Sequence, residues 1–393
     1  MTDEASVYRK IANRLLVGTF ILVLCLPTVD RLFNIDPSMR LAESRSLNKA
    51  PEWPTTRHQV ATFAQQYERY WNDSFGFRRL LIRCNSWAQY QFGVSSTPLA
   101  VIGKKGWLYY AGDSSMEAYQ GLTSLSTSVL EAWRIQLEAR ENLMVSRGGH
   151  FLFVVAPNKQ TTYPDEVPDR YVRSPSTLTD QLVEYLALHS KLKILDLRQP
   201  LNAAKAKGEV FWRTDSHWND WGMYVGYVEV LNRLRQWYPR LVPLGEADFG
   251  QVAGGDYSGD LSALLGLVGI AIEKRVDWNP KRPRQVRGVV GDVPKPSASK
   301  LYSDWDGPDP TLPRAVIFHD SYWLPPALRN IGGRTDAYAN LDSPLDPVQL
   351  LAGHFSHAFF TWQFDFDRAL VERERADIVI EEVVERSLAA GPR

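Results

Sequence analysis

Arg9, Lys10 and Arg14 precede an uncharged run from Leu15 to Val29 built mostly of Leu, Val, Ile and Phe, and Asp30-Arg31 closes it. A run of this kind with basic residues before it reads as a membrane-targeting segment whose N-terminus stays in the cytoplasm. No small-residue processing site follows, so residues 1–35 are expected to remain as a cytoplasmic tip and anchor, with cleavage as the alternative. Residues 36–56 are polar and carry Pro37, Pro51 and Pro54, the composition of a linker.

Beyond the linker the pattern alternates between helical and strand periods. Helical spacing runs from Arg57 to Tyr90 with a break at Asp73-Ser74-Phe75-Gly76-Phe77, and Val101 to Tyr110 reads as a hairpin around Gly103 and Gly106. A helix at Leu130–Ser146, an apolar strand at Phe151–Ala156, a helix at Leu178–Leu188, a strand at Leu192–Leu197 and a helix at Trp218–Tyr238 follow. This rhythm predicts an α/β domain over 57–393, with a mostly parallel sheet covered by helices on both faces. Residues 240–313 break the rhythm with many Gly and Pro, a basic cluster at Lys281-Arg-Pro-Arg284 and Ser297-Ala-Ser299, and read as an insertion over the sheet. Then come the apolar run Arg314 to Phe318, a helix interrupted at Pro325-Pro326, strands at His357–Trp362 and Ile378–Ile380, and a helix at Asp365–Arg373 between them. Glu381 to Leu388 reads as a closing helix whose acidic residues lie on the surface.

Charge narrows the function classes. Lys+Arg and Asp+Glu number 45 each, so there is no global field to gather nucleic acid, and an anionic ligand has to be held locally. No zinc, P-loop or dinucleotide motif is present, so neither a metal nor a cofactor is expected. The 13 Trp and 17 Tyr suit core packing first and sugar stacking second.

Candidate chemistry lies where the run Ala315-Val-Ile-Phe318 ends in His319-Asp320-Ser321. A buried strand that stops at a serine delivers a hydroxyl to the sheet edge, but that hydroxyl needs a base to become a nucleophile. Thr214-Asp215-Ser216-His217-Trp218 supplies one: in an extended segment residues two apart point the same way, so Asp215 can orient His217 toward Ser321. Asp215 and His217 would equally cap the helix that begins near Asn219, and spacing alone does not choose. Asn158, Lys159 and Tyr163 follow a strand's carboxyl end, where α/β sheets meet their ligands, and are candidates for substrate contact, as are His319 and Tyr322 beside the serine. Asn158 is also a residue type that shapes turns.

Six stretches in order, Asn72 to Arg78, Gly103 to Tyr109, Thr214 to Asn219, Gly259-Asp260-Leu261, His319-Asp320-Ser321 and Ala376 to Glu381, resemble the periplasmic alginate O-acetyltransferase family. The resemblance implies a permuted SGNH-hydrolase-like three-layer sandwich whose Asp-x-His block precedes the Ser block, with Ser321, His217 and Asp215 as the triad. It further implies an O-acetyltransferase tethered to the bacterial inner membrane, its domain in the periplasm, passing acetyl through an acetyl-serine to hydroxyls of an exopolysaccharide. A membrane-bound O-acyltransferase partner would supply the acetyl group, alongside other secretion proteins. A carbohydrate acetylesterase, or a non-catalytic polysaccharide-binding scaffold, are the competing readings. The family's serine block opens with Gly where this chain has His319. Asp260 is assigned no role and is expected in a loop.

Overall fold

A computed structural model describes residues 2–33, 35, 47–282, 286–288, 301–323, 345–362 and 365–392. The first part of the 36–56 linker, Pro283 and Arg284 of the basic cluster, Ser297 to Ser299, and Pro325-Pro326 lie outside the described residues. The chain forms two compact units, residues 1–92 and 93–393.

In the first unit the apolar run sits in helix α1 (Thr2–Phe33). Its stretch Tyr8–Phe33, 26 residues that contain an 18-residue window of mean hydropathy 1.9, is the one helix among the described residues long and apolar enough to cross a membrane. Helices α2 (Arg57–Ser74) and α3 (Arg78–Gln91) follow, split where the sequence breaks. Thr56 and Gln59 form a reciprocal capping box at the start of α2. The turn between α2 and α3 packs on the end of α1: a Cβ on Gly76 would stand 2.0 Å from the Pro27 carbonyl oxygen, so only glycine fits. The buried Asp30 carboxylate accepts the backbone N–H of Phe77 at 2.7 Å.

The second unit is built on a mixed sheet. Its strands in chain order are β1 (His150–Ala156), β2 (Leu195–Asp196), β3 (Arg287–Gly288), β4 (Leu301–Asp306), β5 (Arg314–His319), β6 (His357–Trp362) and β7 (Ile378–Val384). Across the sheet they lie in the order β2-β1-β7-β5-β6-β4-β3. The first five neighbours run parallel, while β4 is antiparallel to both β6 and β3. Helices α4 (Thr127–Ser146) and α5 (Leu178–His189) cover one face through Trp133, Leu137, Leu182 and Leu186. Helix α6 (Asp220–Leu234) covers the other through Tyr227, Val230 and Leu231. The three layers explain why β1 reads as uninterrupted apolar sequence, since both of its faces are covered.

Three expectations change. β2 pairs over two residues, because it is an edge strand that meets β1 at Val154 and Val155 alone. The insertion is not wholly outside the sheet: Phe249–Tyr257 and Glu273–Pro280 form a separate antiparallel ribbon, but β3 and β4 complete the main sheet's far edge. The closing helix of surface charge shrinks and turns inward: 378–384 is one continuous strand, a short 3-10 helix runs only from Glu385 to Ala390, and Glu381, Glu382 and Glu385 are buried. Their partners replace water. Arg140 of α4 grips Glu381 at 2.5 and 2.6 Å, Glu382 accepts the Asp320 N–H, and Glu385 accepts from the Asn158 N–H and the hydroxyls of Thr161 and Thr179.

Candidate functional site

β5 is hydrogen-bonded between β7 and β6, so the residues after His319 emerge at the carboxyl edge in the middle of the sheet. Asp320 fixes the turn that follows. Its Oδ1 accepts the Tyr322 N–H at 2.8 Å, and its Oδ2 accepts the Val384 N–H at 2.7 Å at the end of β7. Ser321 stands half-buried above this pinned turn.

The second block approaches from the loop before α6, whose first turn is capped by Asn219 Oδ1 accepting the Gly222 N–H at 2.9 Å. Two cross-links stitch the blocks together: Trp218 Nε1 donates to the Tyr322 carbonyl at 2.9 Å, and the Tyr322 hydroxyl donates to the Ser216 carbonyl at 3.1 Å. His217 Nε2 thereby lies 2.9 Å from Ser321 Oγ, and its Nδ1 lies 2.7 Å from Asp215 Oδ1. With Nδ1–H donated to the carboxylate, Nε2 presents its lone pair to the serine hydroxyl; the tautomer follows from this hydrogen-bond pattern. The capping alternative thus gives way to Asn219, while His217 faces the serine and Asp215 faces the other nitrogen of its ring.

Asp215 is buried and well supplied with donors. Besides the imidazole, it accepts the His217 N–H at 2.9 Å, the Tyr257 hydroxyl at 2.5 Å and the Asp260 N–H at 3.2 Å. Asp260 is no bystander in a loop: it opens a short helix, Asp260–Leu264, and its Oδ2 stands 3.7 Å from His217 Nδ1. Burial first, and the Asp215 charge second, push its carboxyl above the usual aspartate range. Asp215, His217 and Asp260 offer ligand atoms within 4.8 Å of one another. Both oxygens of Asp215 already accept two donors each and those of Asp260 accept from Ser216, so a cation drawing on Asp215 would displace the network that orients the imidazole.

The residues expected to meet substrate have other occupations. Lys159 is buried and its ammonium donates to the carbonyls of Trp212, Arg213 and Asp215 at 3.0, 3.0 and 2.6 Å, holding the Asp215 loop from beneath. Burial lowers its pKa to about 8. Tyr163 accepts the Val210 N–H at 2.8 Å and packs on Trp107. Tyr322 is fully buried as a cross-link, and Asn158 is buried beside Glu385. His319 is also buried, its Nδ1 2.8 Å from the Asp320 carbonyl oxygen, and burial pulls its pKa down. The sequence reading missed Tyr257, Asp320 and Glu382. For Glu382 the signal was present, since Ile378-Val-Ile and Val383-Val384 flank it as one apolar run.

A mostly parallel sheet between two helical layers, continuous with an Asp-x-His loop that reaches the strand-end serine, defines an SGNH-hydrolase-like fold. Residues 100–308 match the family described as ALGX: SGNH hydrolase-like domain, acetyltransferase AlgX, and the chain belongs to that family. Asp215 and His217 fall inside the matched stretch and Ser321 beyond it. The chain is 26% identical over 205 residues to a probable alginate O-acetylase AlgJ of Pseudomonas syringae pv. tomato, covering 51% of this chain and 50% of the relative. To the AlgJ of Azotobacter vinelandii it is 26% identical over 216 residues, 52% of this chain and 51% of that one. The chain thus spans about half the length of the curated relatives it matches. Among solved structures it is similar to the O-acetyltransferase domain of Pseudomonas putida AlgJ, with 17% identity, TM-score 0.43, and coverage of 76% of this chain and 94% of the other. Similarity to Bacillus cereus PatB1 with a sulfonyl adduct has 13% identity, TM-score 0.48, and coverage of 72% and 96%.

Proposed function

We propose that this protein is a membrane-tethered O-acetyltransferase that uses Ser321, His217 and Asp215 to move acetyl groups onto hydroxyls of an extracellular polysaccharide. The hydrogen-bonded series Asp215–His217–Ser321, closed at 2.7 and 2.9 Å, carries the reading. Ser321 Oγ attacks the acetyl carbonyl carbon of a donor as its proton passes to His217 Nε2, and that proton then leaves with the donor's heteroatom. A sugar hydroxyl repeats the sequence in reverse: it gives its proton to Nε2, attacks acetyl-Ser321, and Ser321 Oγ recovers the proton. Asp215 holds the imidazole and balances its transient charge. In this reading α1 is an uncleaved inner-membrane anchor, residues 57–393 lie in the periplasm, and a membrane-bound O-acyltransferase supplies acetyl from the cytoplasmic side.

Incubation with a nitrophenyl acetate should acetylate Ser321, read by peptide mass spectrometry. Ser321→Ala and His217→Ala should be about equally inactive, because members of a triad act as a unit. An oligosaccharide acceptor should speed release of acetyl from the enzyme and gain its mass. Free acetate unchanged by every acceptor would make it an esterase, and no labelling of folded protein would leave a binding scaffold.

A further inference from the structure

We propose that helix α3 lies in the surface of the bilayer that α1 enters, its apolar side toward the lipid and its arginines at the level of the headgroups. The proposal rests on the reading of α1 as a membrane anchor and adds a second contact with the same membrane.

The pattern of α3 is inside out for a helix packed on protein alone. Leu80, Leu81, Cys84, Trp87 and Ala88 fall at the spacing of a single helical face. That face is exposed: Leu80 is 47%, Leu81 55% and Trp87 50% accessible, and Phe92, just past the helix, is 84%. The side with Arg78, Arg79, Ile82, Arg83 and Ser86 is the half-buried or buried one. A helix on a soluble surface does the reverse, turning its apolar stripe inward and its charges to water. The charges are also of one sign, since α3 carries three Arg and neither Asp nor Glu. A basic helix with a continuous apolar face lies in the plane of a lipid interface, its apolar side about 5–10 Å into the boundary between headgroups and chains.

The place where α3 begins identifies the occupant of its exposed face. Phe77, the residue before the helix, donates its N–H to Asp30 at 2.7 Å, and Gly76 packs on Pro27. Pro27 belongs to the uncharged run Leu15 to Val29 and Asp30 closes it, so α3 starts at the level where α1 leaves the hydrocarbon. Arg31 marks the same level. Its guanidinium donates to the Tyr70 hydroxyl at 2.5 Å and stands 5.0 Å from the Trp71 ring centre. Arginine, tyrosine and tryptophan together are the residue types that anchor proteins at the membrane–water boundary. The apolar face of α3 is thus continuous with the membrane-crossing stretch of α1, and the phosphates of an anionic lipid complement its arginines.

The test uses the full chain with Cys25→Ser, so that a nitrobenzoxadiazole label goes to the exposed Cys84 alone, in nanodiscs of phosphatidylcholine and phosphatidylglycerol. The emission should shift to the blue, be quenched by lipid carrying a nitroxide near the headgroup, and resist aqueous iodide. Leu81→Asp combined with Trp87→Asp, at two exposed positions, should reverse all three readings while nitrophenyl acetate still labels Ser321. A companion label at Leu22→Cys, with Cys25→Ser and Cys84→Ser, reads the anchor separately through a nitroxide at the end of the acyl chain. If Leu22 is quenched and Cys84 emits as in water, the anchor stands and the α3 contact falls. If Cys84 is quenched by lipid and Leu22 is not, α3 is a surface-bound helix and the anchor reading falls. A Cys84 label shielded from lipid and iodide alike would mean that protein covers the face, and would overturn the proposal.

Discussion

Asp260 takes both polar hydrogens of Ser216, the backbone N–H at 2.7 Å and the hydroxyl at 2.5 Å, one residue before the imidazole it faces. In the proposed mechanism, a second carboxylate so near His217 would add to the field that stabilises the imidazolium formed when Ser321 gives up its proton. Because its pKa is raised, this carboxyl stays protonated above the usual aspartate range, and the field strengthens as pH rises through its titration. Asp260→Asn should slow Ser321 acetylation about tenfold at neutral pH and flatten the acid limb of the rate profile. A rate and profile equal to the parent's would remove Asp260 from the mechanism.

Gly259 lies against the same loop. A Cβ there would stand 2.4 Å from Asp215 Cβ and 2.6 Å from its backbone N. Gly259→Ala should therefore displace Asp215, and acetylation should fall by about a hundredfold, more than the melting temperature suggests. Retention of full acetylation would show that the loop yields without cost.

Lys159→Met keeps the stem and removes the ammonium, taking one donor from each of three loop carbonyls, of which that of Arg213 keeps the Leu108 N–H at 2.8 Å. An orphaned buried polar group costs about 1–3 kcal/mol, so urea denaturation should show a loss of about 3 kcal/mol or more with acetylation lost in parallel. A stable variant with an active triad would mean that water serves these carbonyls as well.

Glu382 predicts a pH dependence of stability. Burial first and the Asp320 charge second hold its carboxyl well above the usual range, so the folded chain binds this proton more tightly than the unfolded chain does. Its contribution is intact in acid and is lost as pH rises beyond the ordinary glutamate value of about 4.3. Glu382→Gln should then gain in melting temperature relative to the parent as pH climbs. A difference that is constant with pH would count against the buried proton.

His319 packs its ring against Phe360 and holds no contact with Ser321 Oγ, whose partner is His217. His319→Gly should keep measurable acetylation where His217→Ala keeps none. The opposite pattern in labelling by mass spectrometry would reassign the base.

Periodicity made the sheet and its covering helices legible, because β1, β5 and β6 are strands whose burial on two faces writes itself as apolar sequence. Spacing left Asp215-x-His217 open between helix capping and chemistry, and the resemblance pointed to the second; folding brings His217 Nε2 to 2.9 Å from Ser321 Oγ and Nδ1 to 2.7 Å from Asp215 Oδ1. What remained hidden was polar burial. Glu381, Glu382 and Glu385 look like surface charge until Arg140, Asp320 and Thr179, all distant in sequence, are brought to them. Lys159 was legible in position but not in direction: it follows a strand end as expected, yet points under the loop, because three carbonyls converge there. Tyr257 had no local signal, since its role depends on a ribbon whose pairing spans 249–280.

The fit of Gly76 beneath Pro27, with Asp30 accepting from Phe77, makes the end of α1 a structural neighbour of the α2–α3 turn. A fragment trimmed of residues 1–35 to obtain soluble protein would lose that neighbour, exposing the glycine's bare backbone and leaving the Phe77 amide to water. The expense of trimming falls on the helical hairpin of the first unit, and amide exchange at Phe77 is the place to see it.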